Sequence, residues 1–155
     1  MSLRDIFYEY RDRPFVFFRP GGNFGDELIY AGAEKLADDL KIDYRTLFWG
    51  YNVPLQGEAM WKTYLMREMK SRLDPSSIIY IHGSGAFNSM WVSANKLLQI
   101  LYDTFPNIII VGPTSCTIEP NYLKHYLTKD KRINFFAREL VTYECCFSGC
   151  RYKAR

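Results

Sequence analysis

The sequence predicts an α/β domain: a doubly wound, mostly parallel, Rossmann-like sheet of about five strands with helices on both faces. Three observations carry this. Short, wholly apolar runs recur along the chain, and segments with helical periodicity separate them. Those runs do not alternate apolar with polar, as strands with one wet face do, so both faces of the sheet are expected to be covered. Glycine and proline gather directly after the runs, where a strand must turn into a helix. At 155 residues the chain is read as one domain, residues 1–155.

Met1 to Arg13 reads as a short amphipathic helix with Leu3, Ile6, Phe7 and Tyr10 on one side. Phe15 to Arg19 is the first strand, ended by Pro20-Gly21-Gly22. A helix is expected from Glu27 to Leu40. Its inner face is assigned to Leu28, Gly32, Leu36 and Leu40, widened by Ile29 and Ala33. Gly32 costs helix stability relative to Ala, and a close helix-to-sheet contact would explain it. Asp43 to Phe48 is the second strand, Trp49 to Gly57 a loop, and Glu58 to Leu73 a helix stopped by Asp74-Pro75. Ile78 to Ile81 is the third strand. Trp91 to Phe105 is the clearest helix, with Trp91, Ala94, Leu98, Leu101 and Phe105 at spacings of three and four. Ile108 to Val111 is the fourth strand, Pro120 to Leu127 a short helix, and Ile133 to Ala137 the fifth strand. Arg138-Glu139 opens a last helical segment.

Composition narrows the function classes. The net charge of +3 is spread over 20 basic and 17 acidic residues, without the one-sided basic stripe of a nucleic-acid binder. No apolar stretch is long enough to span a bilayer, and Met1 to Arg13 lacks a signal-peptide core, so a cytoplasmic protein is expected. Cys116 stands alone. Cys145, Cys146 and Cys150 do not have zinc-site spacing and read as reduced thiols.

Open parallel sheets bind ligands beyond the carboxyl ends of their strands. The loops expected there are Pro20 to Glu27, His82-Gly83-Ser84-Gly85 and Gly112-Pro113-Thr114-Ser115. Small residues admit a ligand to the backbone, and helix N-termini offer N–H donors at a positive dipole end. A pocket for a small anion, phosphate or carboxylate, is the direct inference. The P-loop pattern is absent. Gly21, Gly22 and Gly25 have the wrong spacing for a dinucleotide fingerprint, and the acid expected past the second strand is missing.

Gly22-Asn23-Phe24-Gly25-Asp26-Glu27-Leu28-Ile29 resembles the G-N-[FY]-G-D-E/D-x-[IL] signature of the polysaccharide pyruvyl transferase family. His82 to Phe87 is similar to that family's glycine-rich turn after its third strand. Gly112-Pro113-Thr114-Ser115 sits where the family often has P-Q-S, and Ala137-Arg138-Glu139 resembles its A-R-E motif. The four segments keep the family's order from Gly22 to Glu139. Ser84 stands for a glycine, Thr114 for the usual Gln, and Thr142 near a common Ser. The resemblance implies the N-terminal half of a two-domain, GT-B-like enzyme of exopolysaccharide synthesis. Such enzymes move pyruvate from phosphoenolpyruvate to a pair of sugar hydroxyls as a ketal. The second domain, with the Arg-His segment thought to hold the donor, has no counterpart here. The chain is therefore expected to form half of an active site, completed by a further domain or by a second copy. No cofactor is implied beyond the donor substrate, and no metal. The partners are a glycan acceptor and a small anionic donor.

Each candidate residue reads two ways. Asp26 can act as base toward a sugar hydroxyl, or serve as a helix cap, with Asn23 as a turn former. Gly22 and Gly25 shape the backbone in either case. Arg138 can grip phosphate or carboxylate through parallel hydrogen bonds, or pair with Glu139 or Asp26. His82 can donate a proton, or pack in the core. Gly83 and Gly85 open the turn. Ser84 and Ser115 can bind phosphate oxygens, or satisfy their own turns. Trp49, Tyr51 and Trp91 are either a sugar-stacking platform or core. The alternatives to transfer are a non-catalytic module of the same fold, binding an anion or a partner chain, and a nucleotide-sugar glycosyltransferase-like domain.

Overall fold

The computed structural model describes residues 1–48, 63, 66–71, 73–85, 87, 92–115 and 131–138. In chain order the elements are α1 (Leu3–Glu9), β1 (Phe15–Arg19), α2 (Phe24–Asp39), β2 (Tyr44–Phe48), β3 (Ile78–Ile81), α3 (Val92–Thr104), β4 (Ile109–Thr114) and β5 (Ile133–Ala137). Residues 66–70 are also helical. Five strands form one sheet in the order β2-β1-β3-β4-β5, and every pairing is parallel. This is the doubly wound α/β fold that the apolar runs imply, in flavodoxin-like strand order.

β1, β3 and β4 are almost wholly apolar because helices close both faces, whereas β2 carries Arg45 and Thr46 and β5 carries Asn134. Phe15, Phe17, Ile78, Tyr80 and Ile110 point to one face and pack with Ile6 and Phe7 of α1 and Ala33 and Ala37 of α2. Val16, Phe18, Ile79, Ile81, Ile109 and Val111 point to the other. There they meet Ala94, Leu97, Leu98 and Leu101 of α3, and Met69. The first face is unusually aromatic. Phe7 stands edge-on to Phe15 and Tyr80, with centroids 5.2 and 5.1 Å apart, and Phe17 stacks on Tyr44 at 4.6 Å. Each fully buried ring of this kind contributes about 1.5–3 kcal/mol of burial energy.

Two elements depart most from the sequence expectation, α2 and β4. α2 begins three residues before Glu27, because Asn23 caps it and Asp26 completes a capping box. Its buried residues are Tyr30, Ala33 and Ala37, whereas Leu28 is 62% exposed. A side chain at Gly32 would meet nothing within 4 Å, so no close contact with the sheet accounts for that glycine. β4 runs on to Thr114, so Gly112-Pro113-Thr114 is strand and not loop. Its pairing with β5 slips between Val111 and Thr114, and Pro113, which has no N–H to offer the ladder, sits in that irregularity. Trp49, Tyr51, Trp91, Cys116, Glu139, Thr142, Cys145, Cys146 and Cys150 lie outside the described residues. So do the helix expected over Pro120 to Leu127 and the segment opened by Glu139.

Candidate functional site

All five strands are parallel, so their carboxyl ends share one edge of the sheet. β1 lies between β2 and β3, and the chain leaves it toward β2 before crossing back to β3. Adjacent connections therefore diverge at the β1/β3 boundary, and this switch point opens the crevice where such sheets hold ligands. The Gly21–Asp26 turn follows β1 and the His82–Gly85 turn follows β3, so both flank it. Ser115 and Arg138 follow β4 and β5 on the same edge. Strands spaced about 4.8 Å apart put Arg138 roughly 10 Å across the sheet from the β3 turn.

The first turn satisfies itself. Asn23 Oδ1 accepts hydrogen bonds from the amides of Gly25 (2.8 Å) and Asp26 (3.3 Å), and Asp26 Oδ2 accepts from the Asn23 amide at 2.9 Å. Side chains of the turn itself thus take donors that a helix N-terminus can offer an anion. Gly22 lies against Asp26, and any Cβ there would overlap the carboxylate side chain. Gly21 has a φ of 81°, the left-handed conformation glycine tolerates, and its carbonyl accepts from the Tyr30 hydroxyl at 2.6 Å.

Directly behind this turn lies a polar network that the sequence reading missed. Arg19, the last residue of β1, forms a two-pronged pair with Glu34 of α2: Nε to Oε1 at 2.9 Å and Nη2 to Oε2 at 2.6 Å. Its Nη1 reaches Glu27 Oε2 at 3.0 Å. Glu34 Oε1 also accepts from Thr46 Oγ1 at 3.4 Å and lies 3.5 Å from His82 Nε2. Its hydrogen bonds to Glu34 are the main reason the Arg19 guanidinium is held above its ordinary pKa. At this end of the site one guanidinium faces two carboxylates, Glu27 and Glu34. A signal was present in the sequence. Arg19 ends an otherwise apolar strand, and Glu34 sits beside Ala33 on the small-residue face of α2.

His82 lies fully inside, with its ring 4.7 Å from Tyr30, 5.0 Å from Tyr80 and 5.2 Å from Phe17 between centroids. Burial, aided by the positive charge of Arg19, pushes its pKa down to about 3. The imidazole considered as a proton donor is therefore neutral and shielded from solvent. Gly83 packs its backbone onto Gly112 and Pro113, and a Cβ there would overlap the Pro113 carbonyl. Ser84 is buried, and its carbonyl accepts from the Thr114 hydroxyl and, at 3.2 Å, from the Ser115 amide. These bonds tie the β3 turn to the end of β4. Gly85 is open, with no atom within 4 Å of a notional Cβ. Arg138 donates its amide to the Thr114 carbonyl at 3.0 Å, and the residue is exposed.

The edge therefore divides. Near β1 it carries Asp26, Glu27 and Glu34 around one paired arginine. Near β5 it carries Arg138, an exposed residue. Phe24 and Phe48, 79% and 72% exposed, stand at the β1/β2 side. A cleft of about 360 Å³ opens at the opposite, amino-terminal edge between Phe15, Tyr44, Asp74 and Ser77, away from these turns. Among the described residues no cluster of three or more histidine, cysteine or acidic side chains is placed to hold a metal ion, and no helix is long and apolar enough to cross a membrane.

No protein-family model matches the chain, and no curated protein matches it.

Proposed function

We propose that the chain is a transferase domain of the pyruvyl transferase kind, moving pyruvate from phosphoenolpyruvate to paired hydroxyls of a glycan. The observation that carries this reading is the meeting of two glycine turns at the β1/β3 switch point, with Arg138 on the same edge. The resemblance of Gly22 to Ile29 to the family signature supports it, because that segment forms one of the two turns. The charge division suits two substrates. Carboxylates near β1 accept hydroxyl hydrogens from a sugar, and the guanidinium of Arg138 holds the phosphate or carboxylate of the donor. Asp26 keeps an oxygen beyond the one bonded to the Asn23 amide, and this is the atom that takes a hydroxyl proton. His82, neutral and buried, supports the turn in this reading and does not protonate the donor. The test is calorimetry with phosphoenolpyruvate and, separately, with nucleotide sugars. Binding of phosphoenolpyruvate alone, weakened by Arg138→Met, is expected. Binding of a nucleotide sugar alone assigns the domain to glycosyl transfer.

A second reading, a module that docks a partner chain, has its own observation. Phe24 and Leu28 stand one helical turn apart on α2, and both are largely exposed. Large exposed apolar side chains held together in this way mark contact surfaces. If neither ligand binds and the chain self-associates until Phe24→Ser and Leu28→Ser are introduced, this reading replaces the first.

A further inference from the structure

We propose that a buried water molecule is a built-in part of this fold, held beside Gly112 by the Tyr80 hydroxyl and the His82 imidazole. Tyr80 Oη and both ring nitrogens of His82 are buried, and none has a hydrogen-bond partner among the described residues. Glu34 Oε1 lies 3.5 Å from His82 Nε2, beyond normal hydrogen-bond length. Buried polar atoms left unpaired are rare, and neighbouring ones are most often joined by an internal water.

The three orphaned atoms are neighbours. His82 follows the last residue of β3, two residues along from Tyr80, and the two rings lie side by side with centroids 5.0 Å apart. In the β3–β4 register Ile81 stands opposite Val111, and His82 and Gly112 are the residues that follow them. Tyr80 Oη leans over Gly112 into space that a Cβ would occupy, and the Gly83 amide nitrogen lies 2.8 Å from that same point. The Tyr80 hydroxyl and the Gly83 amide thus lie close together beside Gly112, with the His82 ring next to Tyr80, and a buried water molecule needs two to four such partners. The negative charge of Glu34 faces Nε2 and favours the tautomer protonated there, which leaves Nδ1 as an acceptor. The water donates to Nδ1 and accepts from, or donates to, Tyr80 Oη. It fixes the end of β3 from which the Gly83–Gly85 turn departs. Nothing in this depends on which substrate the protein takes.

Tyr80→Phe in the full chain discriminates. If water joins the two side chains, removing the hydroxyl takes away one of its partners, and the melting temperature falls by about 2–4 °C. If the site is dry, the same change deletes an unpaired buried hydroxyl, and the protein melts at the same temperature or higher. A high-resolution crystal structure provides the second measurement. Density for one water within hydrogen-bond distance of Tyr80 Oη and His82 Nδ1 is expected. An empty site, or a Tyr80→Phe protein no less stable than the parent, overturns the proposal.

Discussion

Acidifying the protein from pH 7.5 to pH 5 should cost it about 2 kcal/mol of folding stability through His82 alone. The sign follows from the depressed pKa. The folded imidazole titrates at about 3 and the unfolded one near the ordinary histidine value of 6.5. Above pH 6.5 neither state is protonated, and the contribution is complete. Between 6.5 and 3 only the unfolded state binds the proton, so stability is lost at about 1.4 kcal/mol per pH unit. At pH 5 the window has been crossed for about 1.5 units, which gives the 2 kcal/mol. Asp5 and Asp74 also lose stability with acid, because hydrogen bonds from Ser2 and Ser76 hold their carboxyls below 3.8. Those losses begin below pH 3.8, outside the range used. The chain has a second histidine, His125, so the quantity to measure is a difference. Urea unfolding at several pH values, on the parent and on His82→Phe, isolates the term. The parent should lose stability between pH 6.5 and 5 more steeply than the variant, by about one proton's slope. Equal slopes would refute a buried, neutral His82.

Three further outcomes are expected. Glu34→Gln removes the charge and one of the two acceptors of the pair with Arg19; both partners are partly solvated, so a loss of about 2 kcal/mol in denaturant unfolding is expected, and the loss should shrink when Arg19→Met is already present. Gly83→Ala forces a Cβ into the Pro113 carbonyl and should destabilise by about 2 kcal/mol or more, seen as a lower melting temperature. Asp26→Asn retains an oxygen to accept from the Asn23 amide and should change stability by less than about 1 kcal/mol while abolishing ketal formation. Asn23→Ala, by contrast, should cost about 1 kcal/mol of stability through the lost cap.

The strands were the most legible part of the sequence. The bounds read for β1, β3 and β5 match the structure, because each is a short run, apolar but for Arg19 and Asn134, set between turn formers. β4 was read short. Gly112 and Pro113 are ordinary turn signals, and nothing local reveals that Gly83 will press against them and that the strand continues through an irregular pairing. The face of α2 was misjudged for a geometric reason. A four-residue spacing overshoots the helical turn by about 40° per step, so Leu28, Gly32, Leu36 and Leu40 drift round the helix. Tyr30, Ala33 and Ala37 keep to the buried side. The candidate turns were located by composition. Their internal bonds were not visible, since Asn23, Asp26 and Ser84 are all compatible with either a ligand or a turn. Glu34 and Arg19 escaped notice because they lie fifteen residues apart and meet only when α2 folds back over β1.

The reading of the carboxyl edge as a donor site is tested most directly by amide chemical shifts during titration with phosphoenolpyruvate. Saturable shifts at Gly21 to Asp26, Gly83 to Gly85, Ser115 and Arg138, absent with inorganic sulfate, are expected. Shifts confined to the opposite edge around Tyr44, Asp74 and Ser77, or none at all, contradict it.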